Sequence, residues 1–457
     1  MLKNNLIKSS YSRLSIILIS LTIVFSLLSK KHWNSESRVI VWDVISYYAY
    51  LPVTFIYLDP GLEFMDEYQG EHKFIIWAET APNGKKVLKM SMGMSFLYLP
   101  FFFLGHVFAV ITDYDAGGYS APYKFALQLS SLFYLIIGLV FLRKTLLRFF
   151  SEEVSSLSIL LVFFATNLHY YSTHEATMSH SYSFSLIAVF IWLTISWFEK
   201  PSVKNSILIG LLSGLIVLVR PTNILVLLLF IFWDIKNATD FKNRFVFFYQ
   251  KFVKLFLMAF FALLVWLPQL LYWKMQTGSF LYFSYGDEGF FFDNPQIING
   301  LFGFRKGWLL YTPVMVFALI GIFFLKNKLK AFFLPILIFT VLNIYVILSW
   351  WSWWYGGSFG LRAFIDSYAL LVFPLAAIIS YFYKEKKKMA RYFVLAFSIL
   401  LIFHGIFQTK QYYNGAIHWD SMSKAAYWDS FGRLRPSEKF NDLLIHPDYD
   451  KAKKGEE

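Results

Sequence analysis

The segment Trp42-Asp43-Val44-Ile45-Ser46-Tyr47-Tyr48 places a single carboxylate just beyond the first long apolar run and follows it with aromatic residues. An acid held at a membrane surface beside aromatic rings suits a general base acting on a lipid-borne substrate. A solvated loop acid, or the cap of the helix that follows, would put the same residue in the same place. A second polar cluster, His169-Tyr170-Tyr171-Ser172-Thr173-His174-Glu175-Ala176-Thr177-Met178-Ser179-His180, offers His174, Glu175 and His180. Two imidazoles and a carboxylate can hold Zn²⁺ or Mn²⁺, but His174 and His180 lack the i, i+4 spacing that puts two ligands on one helical face. The same groups can hydrogen bond to substrate hydroxyls or simply supply interfacial polarity. Of these three readings a divalent metal is the least favoured.

Lys89, Arg220, Arg305 and Arg362 are the cations suited to an anionic head group, because a guanidinium matches phosphate with paired hydrogen bonds. Each could instead snorkel to the interface. Arg220 stands out because Val219-Arg220-Pro221-Thr222-Asn223 puts a charge between two apolar runs, where it usually needs a partner or ligand. Trp350, Trp351, Trp353 and Trp354 crowd into five residues and run into Tyr355-Gly356-Gly357-Ser358-Phe359-Gly360-Leu361-Arg362. An aromatic belt accounts for such a cluster. Trp353, Trp354 and Tyr355 facing a cavity would give a sugar or prenyl chain a stacking surface, as would Tyr47 and Tyr48 beside Asp43.

The elements that position these groups are membrane spans. With 57% hydrophobic, 21% aromatic and only 16% charged residues, the 457-residue chain has a polytopic membrane composition. Cysteine is absent, which excludes disulfides and thiolate chemistry. Hydrophobic runs bounded by charge fall near 14–29, 125–142, 154–171, 183–198, 205–220, 221–233, 252–271, 309–325, 331–348, 367–383 and 390–407. With the N-terminus inside, segments 1–13, 143–153, 199–204, 234–254, 326–330 and 384–391 hold 21 Lys and Arg against 6 Asp and Glu. The rest of the chain holds 21 against 23. The net charge of +13 is therefore a positive-inside topology signal rather than a nucleic-acid surface. Lys3, Lys8 and Arg13 before the first run read as a retained signal-anchor, since no small-residue cleavage site follows.

Residues 1–407 read as one membrane domain and 408–457 as a polar tail outside the membrane. The first outer loop, 30–124, carries a helix over Tyr47–Leu58, an acidic stretch at Glu63, Asp66 and Glu67, and an apolar run at Phe96–Ile111. Pro100, Gly105 and His106 interrupt that run, which favours a re-entrant or interfacial helix over a span. Asp43, Lys89, His174, Glu175, His180, Arg305 and Arg362 then share one face. A phosphate-cradling P-loop and an HExxH pair are both missing from the sequence, so a soluble nucleotide-sugar or ATP site has no support.

In this order of segments the chain resembles the GT-C superfamily of polytopic glycosyltransferases. In layout it is nearest the bacterial relatives of protein O-mannosyltransferases and lipid A aminoarabinose transferase. The resemblance covers roughly 14–407. It rests on the first-loop acid Asp43, the helices Tyr47–Leu58 and Phe96–Ile111, the Arg-Pro segment at Arg220-Pro221, and the outer-loop strings Gly303–Pro313 and Trp353–Arg362. It implies an all-α integral membrane fold, a GT-C-like bundle of about 11 transmembrane helices with interfacial or re-entrant helices in the first outer loop. It also implies inverting transfer of a sugar from a polyprenyl-phosphate donor to a hydroxyl of a glycan, lipid or protein acceptor. The site would face the periplasm or exterior of a bacterial inner membrane. Asp43 would be the base, with Arg220, Arg362 and Lys89 on the departing phosphate and no metal required. The sequence departs from the eukaryotic mannosyltransferase pattern, an Asp-Glu pair, in that Val44 follows Asp43; Glu175 and Asp59 are candidates for a second acid. A transporter or flippase of a lipid-linked or anionic substrate would use the same arginines, but should show two related halves with broken helices. A non-catalytic assembly subunit would make Asp43 dispensable.

Overall fold

The computed structural model describes residues 10–63, 76–384 and 388–457, and these are largely helical. Lys3, Lys8, Asp66 and Glu67, named above, lie outside the described residues. The helices of eight residues or more are α1 (Tyr11–Lys30), α2 (Asp43–Phe55), α3 (Gly93–Ile111), α4 (Ala121–Leu146), α5 (Glu152–Phe164), α6 (Ser179–Glu199) and α7 (Val203–Val219). They continue with α8 (Ala238–Gln250), α9 (Phe252–Thr277), α10 (Val314–Lys328), α11 (Lys330–Leu348), α12 (Tyr368–Lys384) and α13 (Lys388–Tyr413). A two-stranded hairpin pairs Ala78–Thr80 with Lys86–Leu88, Glu79 opposite Val87, and leads the chain into Lys89.

Among the described residues, eight helices are long and apolar enough to cross a membrane: α1, α3, α4, α6, α9, α11, α12 with its lead-in from Arg362, and α13. The count of 11 from hydrophobic runs differs for physical reasons. The run at 221–233 begins with Pro221 and folds as a 3-10 segment, Pro221–Leu227, with one α-turn after it. The run at 154–171 breaks after Phe164, and the one at 309–325 is split at Thr312-Pro313 into a single turn, Trp308–Tyr311, and the helix α10. At the C-terminus, α13 carries its helix past residue 407 through Gln408, Thr409 and Gln411, which are buried. The central element is the stretch Arg362–Tyr383, all of whose best apolar window is buried inside the protein. A helix apolar on every side belongs in such a place.

Two sets of contacts define the ends of the bundle. At one end Lys30 at the close of α1 meets His174 at 2.6 Å, and Lys124 at the start of α4 donates to Ser35 O. At the other, Arg143 and Ser12 both bind Glu152, and Lys254 donates to Pro201 O. The helix α3 is unbroken despite Pro100, and Gly105 and His106 are packing positions rather than interruptions. A Cβ on Gly105 would lie 2.9 Å from Tyr123 Cα, and His106 Nδ1 lies 2.5 Å from the Tyr123 hydroxyl. Gly93, at the start of α3, abuts Leu218 and Val219 where α7 finishes, and Gly105, in its second half, abuts Tyr123 where α4 begins. The start of α3 thus lies at the end that carries Asp43, and its middle packs on α4 through Phe101 against Phe133 and Tyr134.

Gly93 makes that placement possible, because a Cβ there would come within 2.4 Å of the Val219 nitrogen. Ser91 adds a hydrogen bond from Oγ to Leu218 O at 2.6 Å. Gly93→Val is expected to push α3 off the end of α7 and cost about 1–3 kcal/mol. Thermal unfolding in detergent against wild type measures this; an unchanged midpoint would mean the contact carries no load.

Candidate active site

Asp43 is presented by a strained stretch of backbone. Val39 has φ 73° and Trp42 φ 54°, both in the left-handed region that side-chain-bearing residues avoid. Thr177 holds the bend by donating from Oγ1 to Val39 O at 2.7 Å. The turn lets α2 begin at Asp43, where the helix dipole favours a carboxylate. Tyr47, one turn further on, shares its face. Tyr48 lies about 100° around the helix, where its hydroxyl bonds Gly118 O and its ring packs edge-on against Phe102 and Tyr119. Both rings are buried in the core, but Tyr47 faces the same way as Asp43 and Tyr48 does not.

Arg362 arrives from the opposite side of the bundle on a turn that needs glycine, with Gly356 and Gly360 both at φ 57°. Phe359 N donates to the Tyr171 hydroxyl and Phe359 O accepts from Asn167 Nδ2, each at 3.0 Å. The turn delivers Arg362 Nη2 to 3.1 Å from Asp43 Oδ2. The two side chains keep 14% and 23% of their surface, so the pair is reachable from outside. Glu175 stands behind it and accepts from the Tyr170 hydroxyl at 3.1 Å. Burial pushes its carboxyl above the ordinary range, and Arg362 pulls the other way. Gly356-Gly357-Ser358-Phe359-Gly360 has the spacing of a nucleophile elbow, but Ser358 is fully buried and its hydroxyl donates to Gly360 O. It is a structural turn.

Arg220 leaves the axis of α7 because the residue before a proline avoids the helical region; its φ is −149° and its ψ 111°. Its Nε lies 3.1 Å from Asp366 Oδ2. Asp366 is buried and also takes Asn223 Nδ2 at 3.0 Å and His180 Nδ1 at 3.1 Å. His180 Nδ1 also lies 3.4 Å from Arg220 Nη1, so the ring packs against the Arg220–Asp366 pair. Its buried Nε2 has no partner among the described residues. Sequence reading overlooked Asp366 and Asn223. The available signal was an aspartate four residues after Arg362 at the head of an apolar run, where an unpaired charge is costly.

The phenols of Tyr47 and Tyr285 lie within electrostatic range of both Asp43 and Arg220, and Tyr355 within range of Arg220 and Arg362. Lys89 forms a rim pair with Glu288 at 2.6 Å, over the Tyr285 ring. The remaining predicted residues are placed elsewhere. His174 stacks on Tyr170 and takes Lys30 on Nε2; burial and the Lys30 charge bring its pKa down to about 2. Arg305 pairs with Glu457 of the tail at 2.9 Å. Trp353 and Trp354 are buried beneath that tail, Trp354 against Tyr449, so they offer no open stacking surface. Asp59 binds Gly61 N beyond the far end of α2. Among the described residues, no three His, Asp or Glu side chains are grouped to hold a metal ion.

Lys306 is another group that sequence reading missed. It is buried and donates to Ser358 O and Trp419 O, tying the Arg362 turn to the tail. Burial lowers its pKa from 10.5 to about 7. Between those values the unfolded chain holds a proton that the folded chain lacks, so stability rises with pH across that window. Lys306→Met is expected to flatten the rise in unfolding temperature between about pH 7 and pH 9. An equal slope in the variant would assign the dependence to other groups.

Along the second half of α2, two turns or more beyond Asp43, an apolar groove of about 350 Å³ opens between α2, α3 and α9, lined by Tyr50, Leu51, Phe96, Leu99, Pro268 and Leu271. Ser95, also in its wall, donates to Tyr47 O and so links groove to site.

No protein-family model and no curated protein matches the chain. Among solved structures it is similar to the archaeal oligosaccharyltransferase AglB from Archaeoglobus fulgidus in complex with an inhibitory peptide and a dolichol-phosphate. That match has 12% identity and a TM-score of 0.49, covering 96% of this chain and 60% of the other. The Archaeoglobus fulgidus oligosaccharyltransferase complex with Zn and sulfate matches at 13% identity and TM-score 0.47, covering 95% and 57%. Its apo form gives 13% and 0.47, covering 97% and 62%. The chain thus spans about 60% of the length of these proteins.

Proposed function

We propose that this protein is a membrane glycosyltransferase that moves a sugar from a polyprenyl-phosphate carrier to an acceptor hydroxyl, with inversion. The observation that carries this reading is the meeting of Asp43 and Arg362 at 3.1 Å, 319 residues apart in sequence. They meet in a partly open site with Arg220 in range of the same Tyr47 phenol, and an apolar groove opens two turns further along α2. A carboxylate, two guanidinium groups and an apolar trough match the three parts of the reaction: a hydroxyl to deprotonate, a phosphate to release and a lipid tail to seat.

In this reading the acceptor oxygen attacks the anomeric carbon while its proton passes to the Asp43 carboxylate. The bond from the anomeric carbon to the phosphate oxygen breaks, and its electron pair leaves with polyprenyl phosphate. Arg220 and Arg362 stabilise the charge that develops on that oxygen. Each has one observed contact to an acid, through Nε and Nη2 respectively. A guanidinium has five N–H donors, so both retain donors for phosphate. Phosphate bound to Arg362 would also loosen its hold on Asp43 as the base is needed. The Asp43 end faces the outside of a bacterial inner membrane, since the basic clusters gather at the other end.

The test is reconstitution in nanodiscs with a panel of labelled polyprenyl-phosphate sugars and an acceptor fraction. A nanodisc has no enclosed compartment, so transport leaves no signal there and label reaching an acceptor reports transfer. No label transfer in nanodiscs, together with label moving between leaflets of closed vesicles, would replace this reading with a flippase.

A further inference from the structure

The helix α8 buries none of its residues. Phe241, Phe245, Val246 and Tyr249 are exposed on it, a face that water would penalise. Its hold on the bundle comes from another arc, where Phe247 and Phe248 meet Trp197 and Phe230 and Arg244 lies over Phe198. At about 100° per residue Phe241, Phe245 and Tyr249 fall on one side of that bundle-facing arc, and Asn243, Gln250 and Thr239 fall on the other. Phe241 and Phe245 are 5.1 Å apart, and the next helix, α9, exposes a second aromatic row, Phe252, Phe256 and Phe260, at 6.4 Å intervals.

Charge matches this placement. Segment 234–254 carries Lys236, Lys242, Arg244, Lys251 and Lys254 against Asp234 and Asp240. Lys236 pairs with Asp234, while Arg244 and Lys254 donate to the carbonyls of Trp233 and Pro201. Asp240 accepts from Lys236 N at the start of the helix. Lys242 and Lys251 lie along the helix and at its end, with no ion pair among the described residues.

We propose that α8 is a membrane-surface anchor at the end of the bundle opposite Asp43. Its Phe241–Phe245–Tyr249 arc sits at the boundary of headgroups and acyl chains, and Lys242 and Lys251 engage anionic phospholipid headgroups. This stands independently of the proposed catalysis. The chain has no native cysteine, so single cysteines can carry a nitroxide in the full-length protein. F245C and N243C are compared in nanodiscs of phosphatidylcholine with and without phosphatidylglycerol, reading accessibility to oxygen against a water-soluble nickel chelate. The oxygen-to-nickel ratio is expected to be roughly threefold or more higher at 245 than at 243. Phosphatidylglycerol should raise it further, and Lys242→Gln with Lys251→Gln should remove that increment. Y249C, on the same arc, gives a second reading if F245C disturbs the helix. Equal ratios on the two arcs would overturn the anchor, and insensitivity to phosphatidylglycerol would overturn the headgroup assignment.

Discussion

Asp43→Asn is expected to slow sugar transfer by about 10²–10⁴-fold, the range that general-base catalysis supplies. Asparagine keeps the size of the side chain and an oxygen that can accept from Arg362 Nη2, but it cannot take the acceptor's proton. The wild-type pair retains part of its surface, so its loss should cost little stability. Single-turnover rates at saturating donor, read beside the unfolding temperature, separate the two effects. A rate close to wild type would remove Asp43 from the base role. Glu175→Gln would then be the next variant, because Glu175 is the neighbouring carboxyl within reach of Arg362.

The second large effect concerns Arg220. Its acid partner Asp366 is buried, so Arg220→Gln strands a carboxylate in the interior and is expected to destabilise the protein by about 3–5 kcal/mol. Adding Asp366→Asn removes the stranded charge and should restore most of the stability. Donor binding should not recover with it. A hydrogen bond to a charged group contributes about 1.5–3 kcal/mol, so the double variant should show a donor KM raised roughly 10- to 100-fold. Its acceptor KM should stay near that of wild type. Recovery of donor KM together with stability would make Arg220 a structural residue and would remove it from the phosphate site.

The residues legible in the sequence were those whose chemistry conflicts with their surroundings. Asp43 at the edge of an apolar run, Arg220 beside a proline and Arg362 after a glycine-rich turn were all visible as misplaced charges, and the fold gathers them at one end. Their partners were harder to read. Asp366 looks like the polar cap of a span, and only the approach of α7 to that span turns it into the counter-ion of Arg220. Trp353 and Trp354 looked like a stacking surface because nothing local shows that Tyr449, about a hundred residues later, covers them. The eight long apolar helices among the described residues do not match the count of 11, because several runs fold as shorter helices and the one at Pro221 opens as a 3-10 turn. Hydropathy measures the length of a run and not its backbone conformation. Gly105 and His106 looked like breaks in a helix, whereas Tyr123 on α4 makes them contacts.

The most direct measurement uses a donor labelled twice, with one isotope in the sugar and another in the lipid-linked phosphate, presented to wild type and Asp43→Asn in nanodiscs. Transfer by the proposed chemistry places the sugar label in the acceptor and leaves the phosphate label in polyprenyl phosphate, and the Asp43→Asn protein does neither at a comparable rate. Both labels moving together into the acceptor, or sugar release that ignores the Asp43 substitution, would contradict it.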